Sequence, residues 1–274
     1  MKVGVKIGPA LDGALRTRAE RAEALGFDSV WLSERVAVPL DKPHPYAPMA
    51  DPWVALAHVA AVTSRVRLGT SVSQIALRPP WLMARELATL DHLSGGRLIV
   101  GAGAGWVVEE FNAAGVPFDD RGGRLNEAIR AIRHCWTSPE TAFHGRYYDL
   151  PPAGTIMPLT PGGPPIYAGG INDAGFRRAA RYCDGFIAIT RTPEQLAETR
   201  AKVMAARARY NPDAPFPFLA QVAPPEGVDA ARELARTHKA LGVDAIIVSM
   251  PLDGTPLTLL EQPDVARALI EEAA

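Results

Sequence analysis

At residues 95–106 the chain reads GGRLIVGAGAGW, an apolar run that breaks into glycines at every second position. The run from Leu98 to Val100 predicts a buried strand, and the glycines predict a place where the backbone approaches another group closely. Close packing of neighbouring strands is the alternative explanation of these glycines. A ligand at the carboxyl end of this strand would be flat, and the strand end would form its floor.

The order of strand, turn and helix recurs on both sides of this stretch. Short β-forming runs, each followed by a helical segment, lie at 3–7, 27–32, 66–72, 95–106, 165–170, 185–189, 216–222 and 241–250. Gly26 and Gly242 end helices directly before strands. Eight such units predict a (β/α)8 TIM barrel that forms a single domain over residues 1–274. A doubly wound open sheet is the alternative, because local patterns do not show whether a sheet closes.

Helix boundaries and one irregular segment complete this prediction. Asp51 and Thr192, each followed by proline, predict the first residues of helices. Spacings of four, three and four place one set of side chains on the core face of the fourth main helix: Leu125, Ile129, Ile132 and Trp136. Residues 137–164 contain several prolines and glycines with little periodicity. They predict an insertion on the rim of the barrel that acts as a lid or an interface.

Composition narrows the classes of function. Twenty-nine basic and thirty acidic side chains give a net charge of −1, which provides no broad attraction for nucleic acid or an anionic membrane. Cys135 and Cys183 show neither metal-ligand nor disulfide spacing, so we expect a reducing, cytoplasmic compartment. The six histidines show no metal-ligand spacing, and we expect no metal site. No segment is apolar for long enough to predict a membrane span.

The active site of a barrel lies at the carboxyl ends of its strands. The residues expected there are Gly8-Pro9, Ser33-Glu34-Arg35, Ser71-Val72, Gly103 to Trp106, Gly169-Gly170, Thr190-Arg191, Gln221 and Ser249-Met250. Glycines dominate and titratable groups are few, which favours a cofactor with its own reactivity over hydrolysis by side chains. Glu34 is either an acid or base, or the partner of Arg35 in a loop ion pair. The amides at Gly169-Gly170 either bind a phosphate or form a turn.

Several of these motifs resemble the luciferase-like monooxygenase superfamily, in particular its F420-dependent oxidoreductases. The matching segments are residues 24–31 (ALGFDSVW), 68–72 (LGTSV), 90–98 (LDHLSGGRL), 101–106 (GAGAGW), 109–111 (EEF), 115–118 (GVPF), 121–122 (RG), 169–170 (GG) and 184–185 (DG). They extend over nearly the whole chain. The resemblance implies a (β/α)8 barrel that binds F420 or FMN at the strand ends, commonly as a homodimer.

The resemblance also implies contacts of individual residues with the cofactor. A non-proline cis peptide bond after the third strand would lie between Ser71 and Val72, where a small bulge supports the ring of the cofactor. The backbone at Gly103, Ala104 and Gly105 would line that ring. Ala168, Gly169 and Gly170 would offer amides to the cofactor phosphate, and Gly8 is the contact expected from the first strand.

At two positions the chain departs from the pattern of the family. The sugar-phosphate dehydrogenases of the family carry a glutamate proton donor after the glycine-rich strand, where this chain has Trp106. Many members carry an aspartate or histidine after the second strand, where this chain has Glu34-Arg35, and Glu34 becomes the predicted proton-transfer residue.

The resemblance therefore predicts an F420-dependent oxidoreductase that transfers a hydride to or from a small organic substrate. The first alternative is an FMN-dependent monooxygenase. A non-catalytic flavin-binding protein on the same barrel is another alternative. A lyase or isomerase that acts on a phosphorylated metabolite would use Gly169-Gly170 but leaves the Gly103 to Gly105 floor unexplained.

Overall fold

The computed structural model describes residues 1–8, 13–36, 49–154, 156–189, 192–249 and 259–274. The strands are β1 (Lys2–Lys6), β2 (Ser29–Leu32), β3 (Arg67–Thr70), β4 (Leu98–Ala102), β5 (Phe143–His144), β6 (Asp149–Leu150), β7 (Ile166–Gly170), β8 (Gly185–Ile189), β9 (Phe218–Val222) and β10 (Ala245–Val248). The α-helices are α1 (Leu15–Leu25), α2 (Pro52–Val62), α3 (Pro80–Ser94), α4 (Val108–Ala113), α5 (Arg121–Thr137), α6 (Asp173–Tyr182), α7 (Pro193–Arg207), α8 (Val228–Ala240) and α9 (Pro263–Ala273). Pro9, Thr190, Arg191 and Met250, which were expected at the rim, lie outside the described residues.

Eight of the described strands form a closed parallel barrel. Their order around the barrel is β1, β10, β9, β8, β7, β4, β3 and β2, and β1 closes the ring by pairing with both β10 and β2. The predicted TIM barrel is thereby confirmed, and the open sheet is excluded. Since all eight strands are parallel, their carboxyl ends share one edge of the barrel.

The strand side chains pack into two separate apolar layers. Residues such as Val3 and Val5 face the helices, in the layer between barrel and helices. The alternate residues fill the inside of the barrel: Trp31, Ile99, Tyr167, Ile187, Leu219, Ala245 and Ile247. Trp31 needs small neighbours there, because a Cβ atom at Gly69 would lie 2.3 Å from its ring. The barrel interior is therefore a packed core and not a pore.

Local signals place the helices as predicted. The Asp51 side chain accepts hydrogen bonds from two amides in the first turn of α2, and Thr192 accepts one from Gln195 at the start of α7. Gly26 ends α1 with a φ of 92°, in the left-handed region that glycine adopts without strain. The four predicted core residues of α5 are buried. Pro217, which weakened the prediction of the seventh strand of the barrel, lies just before the first residue of β9.

The insertion after α5 contains more structure than its sequence predicts. Strands β5 and β6 form a small antiparallel hairpin. The Glu127 carboxylate of α5 accepts hydrogen bonds from the backbone amides of Arg146, Tyr147 and Tyr148 at the hairpin tip, at 2.9, 2.7 and 2.8 Å. The Tyr148 hydroxyl donates to the carbonyl of Ala76, in the loop after β3. The insertion therefore reaches the edge of the barrel where the site is expected.

Candidate active site at the carboxyl ends of the strands

The predicted site residues lie on five strand ends at one edge of the barrel. Gly8 follows β1, Glu34 follows β2, Ser71 and Val72 follow β3, Gly103 to Gly105 follow β4, and residues 168–170 end β7. The structure brings Gly103 and Gly169 into contact with Val72. Gly8 packs against Leu32 on the neighbouring strand, and Ala104 packs against the layer between barrel and helices.

Val72 projects from a bulge between β3 and β4. The peptide bond between Ser71 and Val72 is cis, as the resemblance implied. On either side of it the backbone is tied to β4, because the Thr70 hydroxyl donates to the Gly101 carbonyl and the Ser73 amide donates to the same oxygen, both at 2.8 Å. Ser71 and Val72 are left out of this pairing and are directed towards the barrel axis, where Val72 packs on the inner apolar layer.

The glycines of β4 and β7 make room for this bulge. A Cβ atom at Gly103 would lie 2.4 Å from Val72 Cγ2, and one at Gly169 would lie 2.8 Å from Val72 Cγ1. A Cβ atom at Gly101 would lie 1.8 Å from the carbonyl oxygen of Thr70. Close packing within the protein therefore explains these three glycines. Gly101 in β4 and Gly103 just after it are therefore required by the shape of the β3 end.

Gly105 has a different role, because it turns the chain away from the barrel. Its φ of 76° is in the left-handed region, and a Cβ atom would lie 2.3 Å from Gln74 Oε1 and 2.7 Å from the Phe111 ring. Helix α4 begins three residues later, at Val108. The turn leaves the Trp106 side chain 65% exposed at the rim.

Glu34 is buried in a network that holds the loop after β3. Its Oε2 accepts hydrogen bonds from the Ser73 hydroxyl at 2.7 Å and the Gln74 amide at 2.5 Å, and Oε1 lies 2.7 Å from an Arg78 guanidinium nitrogen. Burial opposes the charge of Arg78, but the carboxylates of Glu34 and Asp51 outweigh it and raise the arginine pKa. Its ion pair with Arg78 holds Glu34 in place. Proton transfer by Glu34 stays a prediction.

A second buried carboxylate supports the same loop. Glu110 accepts hydrogen bonds from Gln74 Nε2 at 2.9 Å and from the Val36 amide at 2.8 Å. It lies 3.6 Å from the guanidinium of Arg35, which is stacked 4.7 Å from the centre of the Trp106 ring. Arg35 therefore pairs with Glu110 and Glu34 with Arg78. Trp106 is exposed at the rim and is not a core residue.

Lys6, which the sequence prediction missed, lies inside the barrel and joins three polar side chains that were expected at the strand ends. Lys6 Nζ donates to Gln221 Oε1 at 2.9 Å, Gln221 Nε2 donates to Ser71 Oγ at 2.7 Å, and Ser249 Oγ donates to Gln221 Oε1 at 3.2 Å. Burial, with a smaller contribution from Arg35, lowers the pKa of Lys6 to about 8. The period-2 pattern of β1 is the signal that could have found it. Val3 and Val5 face the helices, so Lys6 must face inward.

Large apolar side chains are also exposed at the carboxyl ends of the strands. Three that lie at or just after a strand end are Trp106, Ile171 and Ile189, with 65%, 76% and 48% of their surface exposed. Exposed apolar groups of this size beside a polar group are typical of surfaces that bind ligands.

The end of β7 leads directly into a helix N-terminus. A Cβ atom at Gly170 would lie 3.2 Å from the Gly175 backbone, so the two glycines let α6 approach the strand end closely. The Asn172 side chain accepts a hydrogen bond from the Gly175 amide at 3.0 Å. The other first-turn amides carry the partial positive charge that attracts phosphate. Both the turn and the phosphate interpretation of Gly169-Gly170 fit this geometry.

Neither a metal centre nor a membrane span is found in the described part of the chain. In those residues, no three potential ligand side chains converge on a metal position. No helix among them has both the length and the apolarity needed to cross a bilayer.

Comparisons with known proteins agree with this architecture. The family model described as luciferase-like monooxygenase matches residues 9–269. An uncharacterized protein of Mycobacterium tuberculosis (strain ATCC 25618 / H37Rv) is 34% identical over 212 residues, which cover 72% of this chain and 73% of the relative. An F420-dependent glucose-6-phosphate dehydrogenase of Amycolatopsis mediterranei (strain U-32) is 37% identical over 194 residues, 68% of this chain and 57% of the relative. This chain therefore matches little more than half of that dehydrogenase.

A solved structure of an F420-dependent secondary alcohol dehydrogenase, in complex with an F420-acetone adduct, superposes with a TM-score of 0.84. The superposition covers 100% of this chain and 99% of that one, at 18% identity. Similarity at this level of identity concerns the fold alone.

Proposed function

Because this chain belongs to the luciferase-like monooxygenase family, we propose that it is an F420-dependent oxidoreductase that transfers a hydride to or from a small organic substrate. The observation that carries the proposal is the apolar ledge that Val72 forms above the filled barrel, beside Gly103 and Gly169 at the carboxyl edge. Named relatives that use F420 support the choice of cofactor.

The described residues fit a flat cofactor. Val72 forms a small apolar ledge above the filled barrel, next to the glycine-rich end of β4, which carries no side chains that would cover it. Exposed Trp106 and Ile189 stand at the rim, where they could contact the faces or edges of a ring. We assign the ring to the ledge and to the backbone of Gly103, Ala104 and Gly105, and Gly8 completes the proposed contacts on the side of β1. The phosphate would lie at Ala168, Gly169 and Gly170, beside the N-terminus of α6.

In this proposal F420 supplies the hydride chemistry when it is bound. The protein aligns the two reactants, and that alignment is the main contribution a rigid barrel edge makes to the rate. Glu34 fixes the loop after β3 through Ser73, Gln74 and Arg78, and so holds the Val72 ledge in position. These contacts favour a positioning role for Glu34 over direct proton transfer.

Binding titrations test the cofactor. The protein is titrated separately with F420 and with FMN, and the change in visible absorption of each cofactor is recorded. We expect saturable binding of F420 and weaker binding of FMN. Tight FMN binding without F420 binding would favour the monooxygenase alternative. Firm F420 binding without turnover over a panel of alcohols and carbonyl compounds would favour a non-catalytic flavin-binding protein.

A pair of variants tests the location. Val72→Ala removes the ledge and should weaken F420 binding at least tenfold. Val62→Ala makes the same chemical change at the end of α2, far from the carboxyl edge, and should bind F420 as the wild type does. Equal affinities of the two variants would contradict the proposed location.

We also propose a homodimer that forms through the outer faces of α2 and α3. Three large apolar side chains are exposed there: Val54, Trp81 and Leu93, at 74%, 52% and 62%. A partner of the same shape and polarity would remove them from water. Sedimentation velocity should give a dimer for the wild type and a monomer for Leu93→Asp, whereas Ile171→Asp at the rim should stay dimeric. A monomeric wild type would refute this interface.

The free, buried thiols of Cys135 and Cys183 suit the reducing cytoplasm that we propose as the compartment.

A further inference from the structure

A layer of polar side chains crosses the barrel just above its apolar core. In the order of strands around the ring, β3 and β9 lie opposite each other. The hydrogen bond from Gln221 on β9 to Ser71 after β3 therefore spans the barrel. Lys6 on β1 and Ser249 after β10 join the layer through the side-chain oxygen of Gln221. The floor of the site thus has an apolar half at Val72 and a polar half at Lys6.

The charge of Lys6 is not balanced by the described residues. Among them, its ammonium makes one hydrogen bond, to the neutral amide of Gln221, and lies within ion-pair distance of no carboxylate. The two buried carboxylates described above at this edge have other cationic partners, since Glu34 pairs with Arg78 and Glu110 with Arg35. Arg35 also acts on Lys6 as a like charge.

An ammonium inside a protein is costly unless an anion or several acceptors surround it. Lys6 carries three N–H donors, of which the described residues use one. No described residue takes its two remaining donors, and these donors and its positive field can therefore serve a molecule that enters the barrel mouth. Lys6 is already held in place by Gln221, which reduces the entropy lost when it binds a ligand.

From this geometry we infer that Lys6 anchors an anionic oxygen of the molecule bound at the barrel axis, such as a carboxylate or an enolate oxygen. The inference rests on the proposed function only for the identity of the cofactor. The oxygen belongs either to the ring of the cofactor or to a substrate with an acidic group, and the experiment separates these two sources. If the oxygen does not belong to the cofactor, the inference narrows the proposed small organic substrate to compounds with an acidic group.

The experiment follows Lys6 directly by NMR. The protein is labelled with 13C at the ε-carbons of lysine, and the Lys6 signal is assigned by its loss in Lys6→Met. The pKa of Lys6 is then measured in the free protein, with F420 alone, and with benzoate or pyruvate alone. An anionic oxygen at the ammonium stabilises its charged form, so it should raise this pKa by one unit or more, which corresponds to a tenfold tighter binding of the charged form.

Each arm has a distinct meaning. A rise with F420 alone assigns the oxygen to the cofactor, and F420 affinity should then fall at least tenfold in Lys6→Met. A rise with the carboxylates alone assigns it to the substrate, and F420 affinity should then be unchanged in that variant. The inference is overturned if neither ligand moves the Lys6 pKa. The carboxylate arm remains valid if F420 does not bind, so a failure of the proposed function is distinguishable.

Lys2 provides the matched control. It lies on the same strand at the opposite end of the barrel, where it pairs with Asp28 at 2.9 Å and is largely exposed. Its signal should not respond to either ligand, and Lys2→Met should bind both as the wild type does. If Lys6→Met does not fold, Lys6→Arg retains the charge for the affinity measurements, and the titrations of the wild type still decide the outcome.

Discussion

Replacing Lys6 with methionine is expected to make the protein more stable at neutral pH. The Lys6 ammonium is confined within the barrel with a neutral partner, and its pKa falls from 10.5 to about 8 on folding. Each unit of pKa difference between the folded and unfolded states corresponds to about 1.4 kcal/mol. The charge of Lys6 therefore lowers the free energy of unfolding by at most about 3 kcal/mol. Methionine has a similar length and carries no charge. Ser249 continues to donate to Gln221 in the variant.

The pH dependence distinguishes this effect from a simple change in packing. Between pH 8 and about 10.5 the unfolded chain binds more protons at Lys6 than the folded protein, so the wild type gains stability relative to the variant as pH rises. Below pH 8 the group is charged in both states, and the full cost is present. The free energy of unfolding of Lys6→Met should therefore exceed that of the wild type by about 2 kcal/mol at pH 7, allowing for partial exposure of Lys6 to water. This difference should disappear near pH 10.5.

Urea unfolding at a fixed protein concentration, followed by fluorescence at pH 7, 8, 9 and 10, measures the difference. Lys2→Met is the control, because Lys2 forms only an exposed ion pair with Asp28 and should change stability by less than about 1 kcal/mol at each pH. A variant at Lys6 that is less stable than the wild type at pH 7, or whose difference does not vary with pH, would refute the reasoning.

Three other substitutions test the packing and the ion pairs of the site. Gly103→Ala places a methyl group against Val72 Cγ2 and should lower the free energy of unfolding, measured with urea, by about 1–3 kcal/mol. Adding Val72→Ala should recover most of this stability, and no recovery would contradict the fit described for the bulge. Among the described residues, Glu34→Gln leaves Arg78 with Asp51 as its one ion-pair partner. It should lower the free energy of unfolding by about 3 kcal/mol, measured in the same way, and a neutral effect would show that the buried pair does not hold the loop. Glu127→Ala should speed amide hydrogen exchange at residues 146–148 without affecting the barrel strands, and unchanged exchange would contradict the anchoring of the hairpin.

Acid should release the same hairpin in the wild type. Burial raises the pKa of Glu127, but the three backbone hydrogen bonds outweigh it, and the net pKa is lowered. A lowered carboxyl pKa adds stability that is complete above the unfolded value of 4.5 and is lost as pH falls through the folded value. Amide exchange at the tip should accordingly accelerate below pH 4.5, after correction for the intrinsic exchange rate.

The barrel was predictable because its signals are local and repeated. A strand run followed by a helical segment recurs eight times, and glycines such as Gly26 and Gly242 mark the ends of two of the helices. Each of these signals depends on residues a few positions apart. The hairpin in the insertion was not predictable, since it depends on Glu127, a helix residue about twenty positions from the amides that it binds. Its two strands of two residues each are too short to produce a periodic pattern.

The candidate site was predictable in its location but not in its contacts. The glycines at 101, 103 and 105 were interpreted either as a floor for a ligand or as close strand packing. The structure shows that Gly101 and Gly103 accommodate Thr70 and Val72 of the neighbouring strand end, and the floor stays a prediction. What a missing Cβ would meet is a property of the tertiary structure and cannot be deduced from spacing. The inward orientation of Lys6 could have been predicted from the sequence, because the alternation of side chains along β1 directs it into the barrel.

The filled barrel interior has a consequence for the order of events at the site. Trp31 and its neighbours close the barrel from below, and the bond between Gln221 and Ser71 crosses it directly above them. A molecule that binds above this layer cannot pass through the barrel interior and must enter and leave at the carboxyl edge. A molecule that rests on Val72 must therefore arrive before any molecule that stacks over it and depart after it, so steady-state kinetics should follow a compulsory sequence of binding and release.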